Sequence, residues 1–321
     1  MSIKIWNKLP LIITKQNYLN DASHNNQIYV LRDDLIPFSF GGNKVRKAIK
    51  FFENILDNKY DTVITYGSAS SNHCRVIANM ANMHNLKCIV ITPKEDNETT
   101  LNSELVSYLN AKVVFSDVED IKKTIDETMK KELGMGNNTY FIQGGGHGNI
   151  GTSAYVEVFD NLLMYEKTNN ISFDYIFLAS GTGTTHAGLI IGNLKSKANK
   201  KIIGISIARS KMNGSKVILE SINDYISENN QKLVVNDKDL IFDDSYIVDG
   251  YGTFNSEIES VIDNQFKLNG LPLDPTYTGK AFWGMEEYIK KEKITNKNIL
   301  FIHTGGTPLF FDYLTKKDRK L

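Results

Sequence analysis

The chain has 321 residues, of which 41% are hydrophobic, so it can bury a sizeable core, and its length favours a division into two lobes. Its 37 basic and 37 acidic residues give a formal net charge of zero, which argues against a protein built mainly to bind nucleic acid or an anionic membrane. The two cysteines are too few for a disulfide framework, and the six histidines lack the spacing of metal ligands. We therefore expect no metal site.

Residues 1–19 contain only a short apolar run, which Pro10 interrupts. This segment lacks the long apolar region and the small-residue cleavage site of a signal peptide, and no apolar run elsewhere is long enough to span a bilayer. We expect a soluble, cytoplasmic protein.

In chain order, a short strand at 28–31 leads to the bend Gly41-Gly42-Asn43, and Lys44 follows this bend directly. Apolar residues at helical spacing then predict a helix over 45–56. Glycines allow backbone angles that other residues avoid, so the bend could present a lysine into a cleft. Lys44 is thus a candidate Schiff-base lysine, which needs a fixed position and a neutral amine. A glycine turn before a basic helix start is the structural alternative.

Strands and helices alternate through the rest of the chain. Strands are predicted at 61–66, 87–92, 112–115, 139–142, 175–179, 202–206 and 298–303. Helices are predicted at 74–83, 101–110, 118–133, 152–166, 215–227 and 256–268, with two more that start at 186 and after 280. This alternation predicts an α/β fold of parallel sheets with helices on both faces.

Four polar or glycine-rich loops each follow a predicted strand, at 67–73, 143–148, 180–185 and 304–306. In open parallel sheets, ligands bind at the carboxyl ends of the strands. The position of these loops therefore predicts that they carry ligand-binding residues.

The loop after strand 175–179 runs straight into a helix and suits a phosphate, because its backbone N–H groups and the helix dipole favour an anion. Its candidate residues are Gly181, Thr182, Gly183, Thr184 and Thr185. The loop matches neither the Walker motif nor the dinucleotide fingerprint, so we predict a phosphate monoester rather than a nucleotide. A tight strand-to-helix turn with a threonine cap is the alternative.

Ser70, Ser71, Asn72 and His73 form a row of polar residues at a predicted helix start. Ser and Asn commonly cap helices, but the row could also bind a carboxylate and a cofactor hydroxyl together. His73 has no acidic partner nearby in the sequence, so a buried or rim histidine is the simpler interpretation. Elsewhere, Thr304 ends a buried strand, and its hydroxyl is expected to point into the cleft.

Five motifs, in this order and at these separations, make the chain similar to the D-cysteine desulfhydrase and 1-aminocyclopropane-1-carboxylate deaminase family. They are residues 41–47 (GGNKVRK), 71–73 (SNH), 181–188 (GTGTTHAG), 273–280 (LDPTYTGK) and 303–306 (HTGG). The resemblance covers nearly the whole chain. It implies a pyridoxal 5'-phosphate enzyme of the tryptophan-synthase-β type, fold type II, with two open, mostly parallel sheets flanked by helices.

The resemblance also implies roles for these residues. Lys44 would carry the cofactor, residues 181–185 would hold its phosphate, and Asn72 would bond its ring hydroxyl. Ser71, with its neighbours Ser70 and His73, would hold the substrate carboxylate. Tyr277, which is a core residue by default, would lie close to the cofactor ring and the reacting carbon.

The same resemblance implies a domain organisation and an assembly. A discontinuous large domain would comprise residues 1–48 and 155–321, and a small domain would comprise residues 49–154. The protein would be a homodimer that acts on a small amino acid.

Two positions separate the branches of this family. The deaminase branch has glutamate after the tyrosine and leucine before the last Gly-Gly, whereas the desulfhydrase branch has threonine at both, as this chain has at Thr278 and Thr304. A carboxylate at the pyridine nitrogen would keep it protonated and make the ring a strong electron sink, whereas a threonine hydroxyl supplies only a hydrogen bond. A weak sink suits loss of a thiolate better than opening of a cyclopropane ring.

These features lead to the hypothesis of an α,β-elimination lyase that converts D-cysteine to pyruvate, sulfide and ammonia, with Lys44 as the base and Tyr277 as a candidate helper. Departures from the family pattern at Ser70, at 144–147 and at 282–283 leave the substrate open. The alternatives are the deaminase reaction, elimination from another β-substituted amino acid such as cysteate, and a non-catalytic protein that binds a phosphate metabolite.

Overall fold

The structure is a computed structural model that describes residues 9–18, 24–95 and 99–318. The chain divides into two compact units. Of the described residues, one unit contains Leu9 with 44–151, and the other combines 10–43 with 152–318. Each unit contains one sheet of mostly parallel strands. The predicted α/β class with two open sheets is confirmed, while the domain limits at 48–49 and 154–155 stay a prediction.

The described residues form ten strands and ten α-helices. The strands are β1 (Ile13–Lys15), β2 (Gln27–Arg32), β3 (Thr62–Tyr66), β4 (Lys87–Pro93), β5 (Lys112–Ser116), β6 (Thr139–Ile142), β7 (Tyr175–Ser180), β8 (Lys201–Ser206), β9 (Ile241–Asp243) and β10 (Asn298–His303). The helices are α1 (Asn43–Asp57), α2 (Asn72–Met83), α3 (Leu101–Tyr108), α4 (Ile121–Gly134), α5 (Asn149–Asn169), α6 (Thr184–Ser196), α7 (Lys211–Glu228), α8 (Ser256–Asn269), α9 (Thr278–Lys291) and α10 (Thr307–Asp318).

The larger sheet has the strand order β1-β2-β10-β7-β8-β9 and is parallel except for the β1–β2 pair. Its alternating residues supply two apolar layers, because successive side chains of a strand face opposite sides. Phe177 and Phe301 pack into a cluster that contains residues of α8 and α9, whereas Leu178 and Leu300 pack into a cluster with residues of α5 and α6. Helices therefore cover both faces of this sheet.

The smaller sheet has the order β5-β4-β3-β6 and is parallel throughout. On one face, Ile64, Ile89 and Ile91 are fully buried and contact apolar residues of α4, among them Ile125 and Met129. Residues 88–92 of β4 are buried without interruption, which is typical of parallel strands that are covered on both faces.

The four loops predicted to bind ligands all follow strands in the structure. The parallel neighbours β3 and β6 place loops 67–73 and 143–148 at one edge of the smaller sheet. The parallel neighbours β7 and β10 place loops 180–185 and 304–306 at one edge of the larger sheet. Sheet topology thus supplies each unit with a pair of adjacent loops.

The sequence prediction missed β1, β9 and α10. The two strands have three residues each, which is too short for a periodic signal. The helix α10 begins directly after Gly305-Gly306 and has Pro308 in its first turn, where proline is tolerated. The glycine pair gave the stretch the pattern of a loop.

Candidate functional site

The bend before Lys44 is a close backbone crossing that requires glycine. Gly42 has a φ of +100°, and a Cβ atom on it would lie 2.8 Å from the carbonyl oxygen of Thr304 and 3.1 Å from Cα of Gly305. Its N–H donates to the carbonyl of Asp33 at 2.7 Å. The bend is therefore fixed against the end of β10.

Asn43 ties this bend to two of the predicted loops. Its N–H donates to the carbonyl of Thr304 at 2.9 Å, and its side-chain Nδ2 donates to Oγ1 of Thr185 at 3.1 Å. Because Thr185 Oγ1 accepts this bond, its own hydroxyl proton is left to be donated to a ligand. Asn43 was not among the predicted site residues, although its place between Gly42 and Lys44 was a usable signal.

Lys44 lies in the first turn of α1, and its Nζ donates to the carbonyl of Gly145 at 3.0 Å. Burial lowers the pKa of Lys44 from 10.5 to about 8, because a desolvated ammonium is disfavoured. The Nζ of the buried Lys47 lies 3.4 Å from the same carbonyl, and burial, together with the charge of Lys44, lowers its pKa well below the ordinary value.

The glycine run 144–146 shapes the segment that carries this carbonyl. Gly145 and Gly146 have φ values of +71° and +67°, which other residues rarely adopt. A Cβ atom on Gly144 would lie 2.7 Å from the ring of Tyr66. The glycine run, which departs from the family pattern, therefore shapes the backbone around the Gly145 carbonyl. That carbonyl accepts a hydrogen bond from the Lys44 amine.

The row Ser70–His73 combines helix capping with available donors. Ser71 is the N-cap of α2, and its Oγ accepts from the N–H of Cys74 at 3.2 Å. Its hydroxyl proton is not needed for that bond. Ser70 Oγ lies 3.2 Å from Ser68 Oγ, so these two hydroxyls form a pair.

His73 is buried inside the unit Lys44–Gly151. Its Nε2 lies 2.8 Å from Thr65 Oγ1, and that hydroxyl donates its proton to the carbonyl of Ile142. Nε2 must therefore carry the proton, which leaves only Nδ1 to meet a substrate. Burial and the charges of Lys44 and Lys47 lower the pKa of His73 well below its ordinary value, so the imidazole is neutral.

The predicted phosphate loop ends in an open helix N-terminus. Gly183 is the N-cap of α6, has a φ of +88° and makes no side-chain capping bond. Thr184 and Thr185 are buried, and their N–H groups meet no acceptor within the described part of the chain. Instead of a threonine cap, the loop has donors in the place where an anion binds.

Tyr277 and Thr278 are held by one carboxylate at the start of α9. Asp274 Oδ1 accepts from the N–H groups of Thr276 and Tyr277, and its Oδ2 accepts from the N–H and the hydroxyl of Thr278. Thr278 Oγ1 in turn accepts from the N–H of Asp274 at 2.8 Å. The Thr278 hydroxyl proton is therefore committed, whereas the side chain of the half-buried Thr304 has no hydrogen bond to the described residues.

Tyr251 is a candidate site residue that the sequence did not indicate. Its hydroxyl lies 2.5 Å from that of Tyr277, and the two rings meet edge to face. The buried Lys280 holds the segment that carries Tyr251, because its Nζ donates to the carbonyls of Ile247 and Gly250 at 2.8 Å each. No periodic pattern marks a loop residue whose partner lies 26 positions away.

The bulky pair Phe282-Trp283 serves packing. Phe282 is fully buried and meets Phe301 edge to face, and Trp283 meets Tyr246 in the same way. This departure from the family pattern therefore lies among the core residues that pack on the larger sheet.

Comparison with known proteins agrees with these features. The sequence pattern described as pyridoxal-phosphate dependent enzyme matches residues 10–305. A D-cysteine desulfhydrase of Yersinia enterocolitica serotype O:8 / biotype 1B is 30% identical over 295 residues, which are 89% of this chain and 88% of the relative. A putative 1-aminocyclopropane-1-carboxylate deaminase of Pyrococcus abyssi is 31% identical over 291 residues, which are 89% and 86%.

Solved structures have the same fold. A crystal structure of an ACC deaminase homologue superposes with a TM-score of 0.86 at 28% identity and covers 98% of this chain and 94% of its own. The processed form of threonine deaminase isoform 2 from Solanum lycopersicum superposes with a TM-score of 0.64 at 17% identity, covers 93% and 80%, and shows likeness of fold alone.

The chain therefore belongs to the family of pyridoxal-phosphate dependent enzymes. Within this family, it belongs to the group of D-cysteine desulfhydrase and 1-aminocyclopropane-1-carboxylate deaminase. Pyridoxal phosphate is its cofactor, as the sequence motifs predicted.

The residues present fit this cofactor. A Schiff base needs a neutral amine, and Lys44 has a lowered pKa. A phosphate needs convergent donors, and the N-terminus of α6 offers buried N–H groups and threonine hydroxyls. Among the described residues, no group of His, Cys, Asp and Glu side chains could hold a metal ion, and no helix is both long and apolar enough to cross a membrane.

Proposed function

We propose that this protein is an α,β-elimination lyase that converts D-cysteine and water to pyruvate, hydrogen sulfide and ammonia. In that reaction the Cα–H and Cβ–S bonds break, and hydrolysis releases the nitrogen. Pyridoxal phosphate, when bound, withdraws electrons from Cα and so stabilises the carbanion. The residues of the chain supply the base, the anchors and the protons.

Lys44 is the proposed cofactor anchor and base. Its neutral amine would remove the proton from Cα, and its lowered pKa supports this role because a base must be neutral to accept a proton. The hydroxyl of Tyr277, paired with that of Tyr251, is the proposed proton donor to the departing sulfur.

Anchoring is assigned to polar groups of the loops. The N–H groups and hydroxyls of residues 181–185 hold the phosphate, and Asn72 donates to the ring oxygen. The hydroxyls of Ser70 and Ser71 receive the substrate carboxylate. The neutral His73, predicted from the sequence to help them, has only the unprotonated Nδ1 left, which accepts a hydrogen bond and does not donate one to a carboxylate.

The observation that carries the choice of reaction is the engagement of Asp274. Its carboxylate accepts four hydrogen bonds from residues 276–278, so the acid of this motif is occupied. Thr278 and Thr304 stand where the deaminase branch has glutamate and leucine. Thr304, whose hydroxyl makes no hydrogen bond within the described ranges, is the better candidate for the pyridine nitrogen. A hydroxyl there leaves the ring a weak sink, which suits a good leaving group such as thiolate.

The test measures pyruvate and sulfide released from D-cysteine and from L-cysteine by the cofactor-loaded protein. Release from the D isomer, with loss of release in Lys44→Ala, is the expected result. A cofactor-loaded protein that releases no sulfide from either isomer contradicts the proposal.

A second candidate is the deaminase reaction on 1-aminocyclopropane-1-carboxylate. It is favoured by the 31% identity to the relative of that name and by the ACC deaminase homologue. The same assay with this substrate should yield 2-oxobutyrate and ammonia if this candidate is correct. Cysteate, which would release sulfite, is the matched test for another leaving group, and a protein that stays colourless with added pyridoxal phosphate would indicate a non-catalytic binding protein.

The resemblance also supports a homodimer and a cytoplasmic location. Light scattering of the purified protein tests the first, with a mass near twice 36.2 kDa expected.

A further inference from the structure

A buried network lies beneath Asn72. Arg75 lies one turn further along α2, is 1% exposed, and its Nη1 donates to Oδ1 of Asn72 and to Oδ1 of Asn102, at 2.7 Å each. Asn102, in the first turn of α3, is fully buried. Its Nδ2 donates to Oδ1 of Asn72 at 3.0 Å and to the carbonyl of Ser70 at 2.8 Å.

This network determines which way the Asn72 amide faces. A guanidinium has only donors, so the side-chain atom that Arg75 meets on each asparagine must be oxygen. Asn102 then has only its amino group for Asn72 Oδ1 and the Ser70 carbonyl, and both of these are acceptors. Every contact agrees with one assignment, in which Asn72 Oδ1 is held by two donors.

The consequence is that only one functional group of Asn72, its amino group, remains for a ligand. Its Nδ2 has no acceptor among the residues that the structure describes, and the side chain is half-buried. Asn72 therefore offers donors only, and they are directed away from the network. A ligand atom that meets them must be an acceptor, and an anionic oxygen is the strongest partner.

Arg75 adds charge to this geometry. Burial lowers its pKa to about 9, so the guanidinium remains charged at neutral pH. A cation bonded to the oxygen of an amide polarises that amide and strengthens its N–H donors, and interactions between charges are less screened in a buried position.

We propose that Arg75 and Asn102 are positioning residues for the cofactor, which lock the Asn72 amino group toward the ring oxygen and favour the ionised form of that oxygen. This inference rests on the proposed role of Asn72. It does not depend on which substrate the enzyme uses.

The experiment compares apoprotein variants loaded with pyridoxal phosphate. Arg75→Met removes the charge and the donors, and Arg75→Lys retains a charge. Thr100→Val is the matched control, because Thr100 caps α3 and donates to the carbonyl of Ala69 at 2.9 Å without contacting Asn72. The readouts are cofactor affinity, the pH midpoint at which the absorption spectrum reports protonation of the ring oxygen, and the thermal midpoint.

We expect Arg75→Met to weaken cofactor affinity about tenfold, as loss of one charge-assisted contact does, and to raise the pH midpoint, because a nearby cation lowers the pKa of an acid. Arg75→Lys should restore part of both effects. Thr100→Val should lower the thermal midpoint and leave the spectral midpoint unchanged. The same unit also contains the titratable side chains of Lys44, Lys47, His73 and Cys74. They are the same in every variant, so they do not account for a difference in the spectral midpoint.

If Arg75→Met does not fold, Asn102→Asp decides. Its carboxylate would neutralise Arg75 and offer no donor to Asn72, so the spectral midpoint should again rise. A folded variant, Arg75→Met or Asn102→Asp, with unchanged affinity and spectrum overturns the inference. Absence of sulfide release from D-cysteine would contradict only the proposed function, because these readouts use no substrate.

Discussion

Lys44 and Lys47 direct their amines at one carbonyl oxygen, that of Gly145. Two ammonium groups cannot share it without repulsion, and both side chains are largely removed from water, so the pair favours loss of a proton. Burial thus lowers the pKa of Lys44, the proposed Schiff-base lysine, and burial together with the charge of Lys44 lowers that of Lys47. The lowered pKa of Lys44 should affect how fast the cofactor binds covalently.

The rate at which the apoprotein forms a Schiff base with pyridoxal phosphate should depend on pH with a midpoint near the Lys44 pKa of about 8. Below that pH the neutral fraction of the amine, and with it the rate, should rise about tenfold per pH unit, and above it the rate should level off. Absorbance after rapid mixing measures this rate. A midpoint near that of an ordinary lysine would contradict the assignment, and Lys44→Ala, which should give no covalent band, is the control.

Tyr251→Phe should reduce kcat for elimination about tenfold or more, because it removes the hydroxyl that pairs with that of Tyr277. The ring contact, at 5.9 Å between centroids, is retained, so KM and the thermal midpoint should change little. Steady-state sulfide release measures the effect. Tyr246→Phe is the matched control, since Tyr246 packs against Trp283 instead; an equal loss in both variants would exclude a specific role for Tyr251.

The sequence could indicate candidate residues that sit in short linear motifs, but not those that contact the motifs from elsewhere in the chain. Lys44 and the loop 181–185 could be proposed because each stands beside glycines in such a motif. Asn102 and Tyr251 carry no such signal, since their importance lies in contacts with residues about 26 to 30 positions away. The commitment of the Thr278 hydroxyl to Asp274 was equally hidden, because it depends on the geometry of one helix start.

At the scale of elements, the start of α9 is organised by Asp274, which is fully buried. Burial raises the pKa of this carboxyl, while its bonds to Thr278 and Tyr277 act in the opposite direction. The helix therefore begins at Thr278, whereas the sequence analysis predicted a start after Lys280. An N-terminal carboxylate of this kind satisfies several N–H groups that a helix start leaves open.

Thr278→Val should lower the free energy of unfolding by about 1–3 kcal/mol, because it leaves the buried N–H of Asp274 without its acceptor and removes one of the two hydrogen bonds that Asp274 Oδ2 accepts. Thr278→Ser retains the hydroxyl and should cost less. Urea unfolding of the apoproteins measures both. Equal stability of the two variants would show that the hydroxyl contributes nothing there. Thr278→Glu is a poor probe of the cofactor ring, since it would place a second carboxylate beside Asp274.

At the scale of the whole molecule, the alternation of strands and helices predicted parallel sheets, because buried parallel strands are continuous apolar runs. The division into two open sheets followed from the family resemblance. The order of strands was not predictable. β2 lies between β1 and β10, although β10 is remote from it in the chain, and nothing local in residues 27–32 identifies that partner.

Cofactor binding should stabilise the whole protein by mass action. At a free pyridoxal phosphate concentration a hundred times its Kd, the gain is about 2.7 kcal/mol, and removal of the cofactor should lower the thermal midpoint accordingly. Thermal unfolding across a range of cofactor concentrations measures this. Lys44→Ala should show a smaller dependence, and a midpoint of the intact protein that does not move with concentration would contradict binding to the native state.

The pairing of β2 with β10 also determines when β2 can complete its structure during translation. Asn26 bonds Lys297, 271 positions later, so at about 5–20 residues per second β2 waits roughly 15–55 s for its neighbour to leave the ribosome. Residues 44–151, which make up most of one compact unit, are contiguous in the chain and need no such wait. We expect this internal segment to acquire its structure first on the nascent chain, while the apolar strand that precedes it remains without its parallel neighbour until β10 has been synthesised.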